Sequence, residues 1–308
     1  LFDKRKSIYE RPKVATSPIS KRRSEGTQVY GMKELDDYYD FLEDVNEYCK
    51  KQNIPATTAS SEFAPGQYEI NLKHTDNILK AADDASLLRR VIKETAIKHG
   101  YEATFLSKPF LNEAGSGMHV HVSLFNEDNE NIFSDKDNNS TKELSYAIGG
   151  LQNMMFDSFA FFASNQNAYR RFEPDIFVPV NTSWGFNNRS VAFRIPVSDN
   201  KAKRIEHRVA GAEANAYLVL ASILSGIEDG LVNKLKASDP REDNACVDPD
   251  PRMPKNIDEA LIILESSDLM KKYLTEEYIK IFVELKRKEQ NSFRAEISDV
   301  EYRWYLNL

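Results

Sequence analysis

The stretch Met118-His119-Val120-His121-Val122-Ser123-Leu124 constrains the fold more than any other, because polar and apolar residues alternate along its whole length. A period of two is the period of a β-strand, and it places His119, His121 and Ser123 on one face with the apolar residues on the other. Such a strand requires a sheet with one face turned to a core. Its polar face carries two imidazoles side by side. Neutral imidazole is a common metal ligand, and the preceding Gly115-Ser116-Gly117 lets a substrate or another strand approach closely. A solvated sheet face is the plainer alternative.

Around this strand the pattern predicts alternating elements. A basic, turn-rich opening runs to about Gly31, followed by a polar helix over Lys33 to Lys51 and a strand over Tyr68 to Lys73. An amphipathic helix covers about Asn77 to His99, then strands Tyr101 to Leu106 and Met118 to Phe125, and a long helix Lys142 to Phe162. Beyond a Pro- and Asn-rich loop come strands near Ser190 to Pro196 and Arg204 to Val209, and a nearly apolar helix over Ala212 to Asp229. The rest is helical and charged, ending in Tyr302-Arg303-Trp304-Tyr305. An α+β domain on an antiparallel sheet follows.

Four further groups carry chemistry. In Arg204-Ile205-Glu206-His207-Arg208-Val209, alternation sends Arg204, Glu206 and Arg208 to one side. This is either an exposed charge ladder or a lining in which Glu206 holds metal while the arginines hold anions. Glu62 and Glu69 bracket the turn Ala64-Pro65-Gly66-Gln67, either as surface glutamates or as oxygen ligands for a hard divalent cation. One His with several Glu suits magnesium or manganese better than zinc. Arg170, Arg171, Arg189, Arg194, Arg204 and Arg208 crowd one region of a chain whose net charge is −7. Fixed guanidiniums of this kind stabilise the charge that develops during phosphoryl transfer; salt-bridging to acidic residues is the structural alternative. No Walker-type phosphate loop is present, so an ATP site must be of another design.

The acidic balance disfavours nucleic acid and anionic membrane as partners. No apolar run approaches the roughly 20 residues of a membrane span. Two cysteines, Cys49 and Cys246, in unrelated contexts suit a reducing compartment, with the cytoplasm as the expected location.

Taken in order, Glu62 to Glu69, Lys108-Pro109, Gly115-Ser116-Gly117-Met118-His119-Val120-His121, Asn188-Arg189-Ser190, Arg194-Ile195-Pro196 and Arg204-Ile205-Glu206-His207-Arg208 resemble the glutamine synthetase catalytic domain over nearly the whole chain. The resemblance implies an α+β fold of the glutamine synthetase and guanido kinase type, 1–308, in which an antiparallel sheet forms an open barrel-like funnel among helices. It implies Glu62, Glu69, His119 and Glu206 as metal ligands for Mg2+ or Mn2+, and His121, Ser123, Lys201 and Arg204 as ATP contacts. Arg171 and Arg208 would hold the substrate carboxylate, Gly115 its amine end, and Arg189 and Arg194 the transferring phosphoryl group. The implied reaction is ATP-dependent amide formation through an acyl phosphate, in a homo-oligomer of stacked rings.

Two departures from the pattern bear on the substrates. Where ammonia-using members carry a glutamate six residues after the substrate arginine, this chain has Phe177. An aromatic ring cannot stabilise ammonium but suits the pocket of an organic amine, as in γ-glutamylpolyamine and γ-glutamylmethylamide synthetases. Ammonia-using glutamine synthetase and a non-catalytic structural homologue are the alternatives. Ala114 replaces an asparagine, which bears on recognition of glutamate itself. The family also has an acidic Glu-x-Glu strand and a small amino-terminal β-domain ahead of the Leu1-Phe2-Asp3 that opens this sequence. A chain without them is expected to bind metal weakly and to be nearly inactive alone.

Overall fold

The computed structural model describes residues 1–174 and 176–308, which fall into two compact units. Unit 1 comprises Leu1–Gly117 with Asn215–Leu220, and unit 2 comprises Met118–Ala214 with Ala221–Leu308.

Unit 1 is built on three helices, a hairpin and a short strand pair. The polar helix expected from Lys33 is broken in two, α1 (Met32–Asp37) and α2 (Tyr39–Lys51). Tyr38 causes the break: its ring is buried edge-on to Tyr68 and Tyr101, and its hydroxyl donates to Ala15 O at 2.7 Å. A continuous helix would not deliver that side chain to those partners. Phe41, Val45 and Cys49, one turn apart along α2, pack with Leu88 and Val91 of α3 (Ile78–Lys98). Asn77 caps α3 by accepting from Lys80 N. Strands β1 (Phe2–Asp3) and β4 (Tyr101–Glu102) pair antiparallel, so the strand expected over Tyr101 to Leu106 shortens to two residues. The hairpin of β2 (Ala56–Ser61) and β3 (Tyr68–Leu72) turns through Gly66 at φ +68°, where a Cβ would also press on Leu1 O at 2.9 Å.

In unit 2, β5 (Val120–Val122), β6 (Trp184–Phe186), β7 (Phe193–Ile195) and β8 (Ile205–His207) form one sheet in the order β5-β8-β7-β6. Strand β8 is antiparallel to both neighbours, as expected, while β6 joins β7 in parallel. The apolar face of the sheet meets a core that includes Phe159, Phe161, Phe162, Phe193, Ile205 and Ile223. The long helix expected over Lys142 to Phe162 divides into α4 (Lys142–Met154) and α5 (Phe159–Phe162). Between them Ser158 Oγ turns back onto Met154 O and Met155 O, competing with the helical ladder.

Helix α6 (Ala216–Asn233) is the one described helix long and apolar enough to cross a membrane by length and composition, and half of that apolar window is buried. Its glycines meet those of α4. A Cβ on Gly150 would lie 2.0 Å from Gly226 O, and one on Gly230 would lie 2.0 Å from Tyr146 O. The charged C-terminal region folds as α7 (Ile257–Ser266), α8 (Asp268–Leu274), α9 (Glu276–Ala295) and α10 (Asp299–Tyr305). Side chains of Asn256, Ser267 and Thr275 cap the first three of these, and Ile279, Phe282 and Val283 form the inward face of α9. Cys49 lies buried in unit 1 and Cys246 in unit 2, and neither is in a disulfide.

Candidate active site

Register places the polar side chains of unit 2. His121 stands opposite Glu206 on β8, Glu206 opposite Arg194 on β7, and Arg194 beside Gly185 on β6. These residues share one face, since paired residues project to the same side of a sheet. The row behind them, Val120, His207, Phe193 and Trp184, shares the opposite face. There His207 is buried against Phe162 and Phe193, and that burial lowers it to about 3, so it is neutral. Glu206 and His207 thus face opposite sides of β8, as its alternation predicts.

Glu206 is the hub of the polar face. Its Oε2 accepts from Arg194 Nη1 at 2.8 Å and its Oε1 from Arg208 Nη1 at 2.8 Å, while His119 Nδ1 lies 3.3 Å from Oε1. Burial alone would raise this carboxyl. The His119 hydrogen bond, the charge of Arg208 and the Arg194 hydrogen bond outweigh burial and hold it well below the usual carboxylate range. His119 keeps 29% of its side chain exposed, yet loss of water around the ring lowers it to about 4 against the pull of Glu206. The carboxylate is therefore ionised and the imidazole neutral, the states in which both side chains ligate cations.

The remaining arginines are fixed by backbone carbonyls and imidazole. Arg171, on a short 3-10 helix (Ala168–Arg171), is buried and donates to Val209 O at 2.7 Å and Arg208 O at 3.2 Å. Burial lowers it to about 10, so it keeps its charge at neutral pH. Arg204 Nε donates to His121 Nδ1 at 3.1 Å, which leaves Nε2 of that ring to carry the proton. His121 is exposed at its edge, and the protein packed around the rest of the ring holds it below its usual range. Arg189 is exposed on the turn after β6, and Lys201 and Ser123 are exposed as well. Asn188 locks that turn, donating to Arg241 O and Asp243 O and accepting from Ser190. Asn187, which the sequence reading passed over, accepts from Arg194 Nη2 at 2.7 Å. Its signal was an Asn-Asn pair straight after an aromatic strand.

Unit 1 holds Glu62, Glu69 and Gly115, while Phe177 belongs to unit 2. Ser60 pairs with Glu69 and Ser61 with Tyr68, and Glu62 N bonds Gln67 O at 2.9 Å. That register makes Glu62 and Glu69 diagonal neighbours on one face of the hairpin. Gln67 Nε2 donates to Gly115 O and Ser116 Oγ, both at 3.0 Å, tying the turn to the glycine triplet. Gly115 therefore already uses its carbonyl within the unit.

Carboxylate oxygens are the donors a hard divalent cation selects, and Glu206 stands ionised, with the neutral imidazole of His119 beside it as a nitrogen donor. Among the described residues, no group of three or more His, Cys, Asp or Glu side chains gathers to hold a metal. Both oxygens of Glu206 are occupied by arginine.

An ionised glutamate thus stands between two arginines, on a sheet face that also carries Arg204. The chain matches the family described as glutamine synthetase, catalytic domain, over residues 1–305, and it belongs to that family. Relatives include γ-glutamylputrescine synthetase PuuA of Escherichia coli (strain K12), 39% identical over 99% of this chain and 65% of the relative. Glutamate–isopropylamine ligase of a Pseudomonas species is 36% identical over 87% of this chain and 60% of the relative. Glutamine synthetase of Thermotoga maritima (strain ATCC 43589) is also 36% identical, over 84% of this chain and 61% of the relative. The chain thus spans between 60% and 65% of the length of these curated relatives. The fold is shared with solved GmaS without ligand, at a TM-score of 0.82 and 24% identity, covering 93% of this chain and 67% of that one.

Proposed function

We propose that the protein containing this chain is an ATP-dependent ligase that joins the γ-carboxylate of glutamate to an organic amine. The γ-carboxylate oxygen attacks the γ-phosphorus of ATP, the bond to the bridging oxygen breaks, and ADP leaves. The amine nitrogen then attacks the acyl carbon, phosphate departs, and the nitrogen loses a proton. Arg189 and Arg194 are assigned to the charge on the transferring phosphoryl group, and His121, Ser123, Lys201 and Arg204 to ATP. Arg171 and Arg208 are assigned to the substrate's carboxylate and Gly115 to its amine end. The metal donors would be Glu206 and His119, with Glu62 and Glu69 as the acidic donors added by the family pattern, and Mg2+ or Mn2+ would supply positive charge at the phosphates.

The observation that carries the choice of amine is Phe177. It lies 61% exposed at φ +54°, a conformation costly for a bulky side chain. An exposed ring there offers an alkyl chain an apolar surface and offers ammonium no countercharge. Two of the relatives carry an organic amine in their names, which supports the same choice. The assembly we expect is a homo-oligomer of stacked rings. A cytoplasmic location is part of the same reading.

Phosphate release by the intact protein with ATP, magnesium and glutamate tests this reading, comparing ammonium with methylamine, isopropylamine, ethanolamine and putrescine. Stimulation by an organic amine is expected; stimulation by ammonium alone would restore ordinary glutamine synthetase. Phe177→Glu should move kcat/KM toward ammonium by about 10-fold or more, the scale of one added charge–charge contact at a partly exposed site. An unmoved amine preference would remove Phe177 from the pocket.

A further inference from the structure

We propose that Asn187 is a positioning residue that sets the angle at which Arg194 meets the phosphoryl group, an inference that rests on the role given to Arg194 above. The Arg194 guanidinium is gripped at two points: Nη1 by Glu206 Oε2 at 2.8 Å and Nη2 by Asn187 Oδ1 at 2.7 Å. A single contact through Nη1 would leave the planar group free to swing about that bond. The second contact fixes its plane. Arg194 Nε is buried without a hydrogen-bond partner, so no third contact through that atom does the same work.

The backbone explains why this residue is asparagine. Asn187 has φ +49°, in the left-handed region that Asn tolerates better than other side chains with a Cβ. Its N–H bonds Ile195 O at 2.8 Å, which pins that conformation to the residue after Arg194. The chain therefore leaves β6 in a shape that aims Oδ1 back at Arg194. A neutral acceptor orients the guanidinium without cancelling its charge. An aspartate would hold the same geometry and spend the charge that an incoming phosphate needs.

Asn187→Gly removes the acceptor and keeps a residue at ease with φ +49°. In the intact protein, kcat for amine-stimulated phosphate release should fall about 10-fold with KM for ATP within about two-fold, because the lost contact matters to the transition state and not to ground-state binding. Binding of ADP with aluminium fluoride, a mimic of the phosphoryl in flight, should weaken by a similar factor while ADP alone binds as before. In an Arg194→Ala background, Asn187→Gly should change nothing further, since two residues acting through one contact are not additive. Unchanged kcat in Asn187→Gly, or an effect that persists without Arg194, overturns the positioning role. Unchanged phosphate release in Arg194→Ala overturns the role of Arg194 itself.

Discussion

Glu206→Ala in the intact protein is expected to abolish amine-stimulated phosphate release and also to lower stability. The two losses have separate causes. Activity goes because the substitution removes a proposed metal donor together with its charge. Stability falls because Arg194 and Arg208 lose their shared carboxylate while their side chains remain only 13% and 7% exposed. Truncating one partner of a buried ion pair typically costs about 3–5 kcal/mol, most of it for the charges left behind. Glu206→Gln separates the effects: it keeps the shape and one acceptor oxygen for one of the two arginines, so it should lose activity nearly as fully while giving back part of the stability. Thermal unfolding read alongside phosphate release checks both. Turnover that survives in Glu206→Ala would remove this residue from the site.

The second large effect is expected far from any chemistry. Gly150→Ala places a methyl 2.0 Å from Gly226 O and 2.6 Å from Gly230 Cα, backbone atoms of a packed helix that no rotamer change can move aside. Helices α4 and α6 must separate, and the cost is put at or above the upper end of the roughly 1–3 kcal/mol for overpacked cores. The intrinsic gain of about 1 kcal/mol from replacing a helical glycine by alanine offsets only part of it. Gly226→Ala is the matched control. Its new Cβ would meet Leu151 Cδ2 at 3.3 Å, the end of a flexible side chain, and should be tolerated. Equal denaturation midpoints for the two variants would show that the helices have room to yield.

These contrasts indicate what the sequence could disclose. The alternation in Met118 to Leu124 and in Arg204 to Val209 was legible, since a period of two depends on nothing beyond the strand itself. Strand β6 was not: three residues, Trp184–Phe186, cannot show a period, and the parallel pairing with β7 is a property of the turn between them. Strand β2 escaped because Ala56-Thr57-Thr58-Ala59-Ser60-Ser61 has no large apolar side chain to mark a face. The helix breaks at Tyr38 and Ser158 depend on a hydroxyl finding a distant carbonyl in one case and a nearby one in the other. Among the site residues, Glu206 and its arginines could be proposed individually. That Arg194 and His121 flank Glu206 on neighbouring strands is a matter of register, which no single strand contains. Asn187 was hidden for the same reason, its importance being a backbone angle and one contact seven residues away.

Cys49 and Cys246, one in each unit and only 1% and 0% exposed, make the protein its own pair of reporters. An alkylating reagent reaches neither sulfur until the surrounding unit opens, so the rate at which each thiol is labelled measures the opening of its own unit. Mass-resolved labelling of the unmodified chain would then tell whether the two units breathe together or apart, and which loosens first, with no engineered probe to disturb either.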